Sequence, residues 1–197
     1  RRVEVTDRAE VDALAAPGRR QLRHAVVRRQ GVVAARRDDA PKRQRRARHR
    51  QPASVVELDV RRLKDGELVL WHDDKVHGKA PESLTLAQLR DHAPHVVRLA
   101  DCAKRLHGLV QLDVELKTPG IESQVIDVLR DRTAQWRRRD FVLTSFDESM
   151  IAKVRAKDQF VRTGLLLKDG AAFKNAFARF VELQADFLAP EESEIDK

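Results

Sequence analysis

The sequence has little of what marks many specialised chains. Its 197 residues include one cysteine, Cys102, and no tyrosine. A lone cysteine excludes a disulfide framework and a cysteine-ligated zinc site. No apolar run reaches the ~18 residues that a membrane-spanning helix needs. Neither a Gly-x-Gly-x-x-Gly nor a Walker loop occurs, which weakens a nucleotide-binding reading. The opening residues carry no apolar stretch of the kind that heads a secretory leader, so a cytoplasmic location is the expectation. Apolar residues nevertheless make up 42% of the chain, enough to build a core and too many for a wholly disordered one.

The formal net charge of +8 suggests a nucleic-acid partner until its distribution is examined. Residues 1–50 hold 15 Arg and 1 Lys against 6 acidic residues, and lack Phe, Trp, Ile, Met and Ser. Residues 51–197 hold 23 basic and 25 acidic residues. The chain therefore divides into an Arg-rich segment, 1–50, and an ordinary globular stretch, 51–197. Runs such as Lys42-Arg43-Gln44-Arg45-Arg46 could meet phosphates, but no aromatics are interleaved for base stacking, and no nucleic-acid partner is expected. A solvated extension is a second reading. The third is a shifted reading frame, because G+C-rich DNA read out of frame yields arginine with almost no lysine.

Beyond residue 51, strands and helices alternate. Val55–Val60 reads as a strand, Lys64-Asp65-Gly66 as a turn and Glu67–His72 as a second strand. Thr85 and Gln88 form a capping box with Leu86 and Leu89 inward. A helix is predicted over 98–107, closed by Gly108. Leu109–Leu116 follows as a strand, and Thr118-Pro119 reads as the start of a helix with Val125, Val128 and Leu129 inward. Phe141–Phe146 is a strand, and Asp147 caps a helix through Lys157 that buries Met150, Ile151 and Val154. Arg162–Leu167 is a strand, 171–183 a helix with Phe173, Phe177 and Phe180 in the core, and Asp186–Ala189 a last strand. The class is α/β with a parallel sheet, as a doubly wound sheet or a (β/α)8 barrel.

Carboxylates within apolar strands require explanation, because burying a charge is costly unless it is paired. Glu57 and Asp59 share one strand face; Asp113, Glu115 and Lys117 share another, opposite Leu112, Val114 and Leu116. Such carboxylates either form an all-oxygen site for Ca²⁺ or Mg²⁺ or pair with Arg and Lys across neighbouring strands. His72, followed by Asp73-Asp74, is either an acid–base group at a strand end or an exposed loop histidine. His77, His92, His95 and His107 read as surface residues, and Cys102 as core.

Glu57-Leu58-Asp59-Val60, Lys64-Asp65-Gly66 and His72-Asp73, in that order, resemble the glycerophosphodiester phosphodiesterases. Leu84-Thr85-Leu86, Arg98-Leu99-Ala100-Asp101, Val114-Glu115-Leu116-Lys117 and Thr144-Ser145-Phe146-Asp147 extend the likeness across residues 53–190. The resemblance implies a (β/α)8 TIM barrel, with about six strands present here, that hydrolyses glycerophosphodiesters to glycerol 3-phosphate and an alcohol. It implies a divalent cation, Ca²⁺ or Mg²⁺, on Glu57, Asp59 and Glu115. His72 would be one of two catalytic histidines, and Lys117 would approach the phosphate. A related barrel phosphodiesterase acting on phospholipid is the nearest alternative, and a nucleic-acid-binding protein using the basic arm is the alternative from another class.

The family's first catalytic histidine belongs to a His-Arg-Gly strand end expected near Gln30, where this sequence has Arg28-Arg29-Gln30-Gly31. His24 and His49 stand outside that context. Ala40-Pro41-Lys42-Arg43 occupies the place of a Pro-Glu-Asn-Thr helix start, and the family's last two strand motifs are not found. The expectation is little or no turnover. If residues 1–50 are a shifted frame, translating the coding DNA in the other two frames will reveal His-Arg-Gly and Pro-Glu-Asn-Thr. Finding neither would exclude the frameshift.

Overall fold

The computed structural model describes residues 2–4, 55–168 and 173–190. His24, Gln30 and His49 lie outside the described residues. The strands are β1 (Arg2–Glu4), β2 (Val55–Arg62), β3 (Leu68–Leu70), β4 (Gln111–Leu116), β5 (Phe141–Ser145), β6 (Arg162–Leu167) and β7 (Phe187–Pro190). The helices are α1 (Leu86–His92), α2 (Leu99–Leu106), α3 (Glu122–Arg130), α4 (Glu148–Lys157) and α5 (Phe173–Leu183). Six strands run in parallel in the order β1-β2-β4-β5-β6-β7, and β3 pairs antiparallel with β2. This is an arc of a (β/α) barrel with helices against its outer face.

Two features depart from the sequence reading. The segment before His72 forms a three-residue strand antiparallel to β2, with Val60 opposite Leu70. Lys64-Asp65-Gly66 causes this: it is a tight turn with Gly66 at φ +85°, and so short a connection can join only antiparallel strands. Arg2–Glu4 pairs in parallel with the start of β2 along the same edge as β3, opposite β4, so the Arg-rich segment supplies a strand.

Both sheet faces are buried. Val56, Leu58, Val60, Leu112, Val114, Leu116, Phe141 and Leu143 form the outer layer and pack with Leu99, Cys102, Leu106, Val125, Leu129, Met150 and Val154 of α2, α3 and α4. Burial pushes the Cys102 thiol up to about 12, so it is an inert core group. A separate cluster of Leu63, Val69, Val76, Leu84, Leu89 and Val96 fills the excursion between β2 and α2. There Thr85 caps α1: its hydroxyl accepts the Gln88 N–H, and the Gln88 side chain accepts the Thr85 N–H. Asp147 caps α4 by accepting the Ser149 N–H at 2.8 Å.

Two helices differ from expectation. The first begins at Glu122 rather than at Thr118-Pro119. The Thr118 hydroxyl instead donates to Glu82 and accepts the Arg62 N–H, and Gly120 turns the chain at φ +84°. In α5, Phe177 is 71% exposed. Ala176 packs beneath with Phe180 and Leu183 beside it; these share a helical face by i, i+4, i+7 spacing, which turns Phe177 outward.

Glycine is required at position 164 of β6. A Cβ there would lie 2.4 Å from the Phe187 ring of β7, with Gly164 and Phe187 register partners. Gly164→Ala should cost about 1–3 kcal/mol by overpacking, read as a lower urea midpoint, with Phe187→Leu recovering part of the loss. An unchanged midpoint would show that the ring is not held there.

Candidate active site

Register brings the charged residues together. Asp59 on β2 lies beside Glu115 on β4, and Glu57 beside Asp113, one rung deeper. All four are on the inner face, and Asp59, Asp113 and Glu115 are buried. Lys117, immediately past β4, bridges the upper pair: its Nζ is 3.2 Å from Asp59 Oδ1 and 2.5 Å from Glu115 Oε1. Burial works against this ammonium, but the charges and hydrogen bonds of Asp59 and Glu115 outweigh it and hold its pKa above the ordinary lysine value. Of the two sequence readings of these carboxylates, pairing with a basic side chain is thus directly visible.

The pairing is also a test of fit for a metal. Asp59 and Glu115 converge on one cation, here an ammonium, with hard oxygen donors of the kind Mg²⁺ and Ca²⁺ take. Glu57, two residues before Asp59 on the same face, lies one rung deeper. Among the described residues, no three His, Cys, Asp or Glu side chains are grouped so as to hold one metal ion. Asp113 on the deeper rung accepts the Thr144 hydroxyl at 2.8 Å.

Above this layer, at the C-terminal ends of the strands, a cleft of about 770 Å³ opens. His72, Glu115 and Lys117 line it together with Arg61, Phe146 and Lys168. His72 is two residues beyond β3 and 58% exposed, with Nδ1 3.0 Å from Asp73 Oδ1. That contact holds one ring nitrogen at the mouth of the cleft. His77, His92, His95 and His107 are exposed and do not line the cleft.

Sequence reasoning missed two cleft residues. Arg61 continues the alternation of Glu57 and Asp59, which could have revealed it. Its side chain is 7% exposed. The guanidinium donates to Glu82 Oε1 at 3.0 Å, to the His72 carbonyl at 3.1 Å and to Asp74 Oδ1 at 2.5 Å. It thereby ties the His72 loop to the body of the sheet. The Arg61 hydrogen bond and charge hold the Asp74 carboxyl below its ordinary value, with smaller contributions from Lys117 and Lys168. Lys168 follows the inward alternation of Gly164 and Leu166 one step past β6. Its Nζ lies 5.3 Å from the Phe146 ring centroid, and that of Lys117 5.9 Å.

Comparisons with known proteins agree with this fold. A glycerophosphodiester phosphodiesterase from Thermotoga maritima is 20% identical, with a TM-score of 0.56, over 68% of this chain and 59% of that one. A phosphodiesterase from Oleispira antarctica, solved with its product sn-glycerol-3-phosphate, is 20% identical with a TM-score of 0.58, over 72% of this chain and 64% of that one. These likenesses are of fold, and the chain spans less than two thirds of either structure's length. No curated protein matches the chain. The family model described as "Glycerophosphoryl diester phosphodiesterase family" matches residues 46–196. On that match, which takes in both carboxylate strands, His72 and the lysines of the cleft, the chain belongs to the glycerophosphoryl diester phosphodiesterase family.

Proposed function

We propose that this chain hydrolyses glycerophosphodiesters to glycerol 3-phosphate and an alcohol with the help of a divalent cation, Ca²⁺ or Mg²⁺, and that its turnover is low. The observation that carries the reading is the convergence of Asp59 and Glu115 on a single cation, in a cleft that also holds His72 and Lys117. Asp59 and Glu115 would hold the ion, with Glu57 the third carboxylate implied by the family resemblance. Bound there, such an ion would neutralise phosphate oxygens and orient a diester for in-line attack.

The remaining roles belong to the chain's own side chains. Lys117, on a flexible stem, offers its ammonium to a phosphate oxygen once the carboxylates have another cation to neutralise. The His72 ring transfers a proton to the departing alkoxide or takes one from the nucleophile, while Asp73 holds Nδ1. Arg61 acts through the loop, holding the His72 carbonyl and the Asp74 carboxylate. A second histidine is required for the opposite proton transfer, and Arg28-Arg29-Gln30-Gly31 supplies none. Losing one member of an acid–base pair lowers the rate by ~10²-fold or more. Residues 51–197 form the catalytic unit in this reading, supported by a family match that begins at residue 46.

Incubating the purified chain with glycerophosphoinositol should release glycerol 3-phosphate slowly. EDTA should stop the reaction, and Asp59→Asn or His72→Ala should each lower it by about 10²-fold. Release indifferent to EDTA and to His72→Ala would overturn the proposal. A cyclic phosphate product would move the chain to a different phosphodiesterase reaction.

A further inference from the structure

Most of the cleft charges are held in close pairs. Asp74 is taken by Arg61, Asp73 by His72 and Glu115 by Lys117. Asp147 caps α4 through the Ser149 N–H. Lys168 lines the same cleft, and among the described residues no carboxylate lies within ion-pair distance of its ammonium. Its contact is instead with the Phe146 ring, at 5.3 Å from the centroid, and the Lys117 ammonium is 5.9 Å from the same centroid.

The same aromatic surface would otherwise suit a quaternary or primary ammonium headgroup. A ring face attracts a cation within about 6 Å of its centroid, as choline-binding cages do. Here two ammonium groups of the protein already lie near it, and among the described residues only that of Lys117 has carboxylates within ion-pair distance. A cationic headgroup would meet Lys168 in that position, whereas a hydroxyl-bearing or anionic one would gain a donor from it.

Accepting the proposed glycerophosphodiester site, we propose that Lys168 is a specificity-determining residue that selects substrates whose alcohol carries no positive charge and disfavours choline and ethanolamine diesters. Two like charges about 7 Å apart in a largely wet cleft repel enough to shift binding by roughly three- to tenfold.

Calorimetric binding of glycerophosphoinositol and glycerophosphocholine to the full chain, with Mg²⁺ present, tests this without requiring turnover. Glycerophosphoinositol should bind about fivefold tighter, and the gap should narrow as salt is raised. Lys168→Gln should bring the two affinities together, Lys168→Glu should reverse their order, and Lys168→Arg should preserve it, with circular dichroism confirming that each variant folds. Equal or tighter binding of the choline diester to the unmodified chain, or a ratio unmoved by Lys168→Glu, would overturn the role of Lys168 and leave the site standing. If neither diester binds, the proposed function fails, and the selectivity with it.

Discussion

The Asp59–Lys117–Glu115 contact constrains everything around it. Parallel pairing of β2 with β4 sets the two carboxylates side by side on a buried rung. Left alone they would repel each other at short range and carry the desolvation cost of buried charge, several kcal/mol for each ion. A cation between them is therefore a condition of this register. A slip of one residue along β2 offers no escape, since it would turn Glu57, Asp59 and Arg61 into the apolar layer beneath the helices. Lys117, two residues after Glu115 on the same face, provides the cation from within the same segment.

Much of this was legible in the sequence because the signals are local. Period-two alternation placed Asp59 with Glu57, and Glu115 with Lys117, on single faces; the register that sets Asp59 beside Glu115 comes from the paired strands. The Thr85 capping box, the Asp147 cap and the buried stripe of Met150, Ile151 and Val154 are likewise set by residues within one or two helical turns. Less legible were features decided by partners distant in sequence. Phe177 falls on a good helical apolar face, yet Ala176, Phe180 and Leu183 meet the sheet instead. Gly164 reads as a weak point in a strand until Phe187, from the next strand, is found lying across it. The direction of β3 was implicit in Lys64-Asp65-Gly66, but the family pattern, which names only residues, does not record it.

The structure also separates two kinds of charge that composition merges. Net charge along the chain is dominated by residues 1–50, which say little about the cleft. Within the cleft nearly every charge has an opposite neighbour, so what a ligand meets depends on which pairs can open. Arg61 is nearly enclosed and committed to three acceptors in a fixed planar fork. Removing any one would strand a buried donor, so this pair behaves as structure. Lys117 is 19% exposed and sits at the end of a flexible stem. Its partners lose nothing electrostatically if another cation replaces it, and the ammonium loses little if a phosphate oxygen receives it. The same three residues can therefore stabilise the empty sheet and respond to a ligand, because the contact depends on charge and does not require that particular nitrogen.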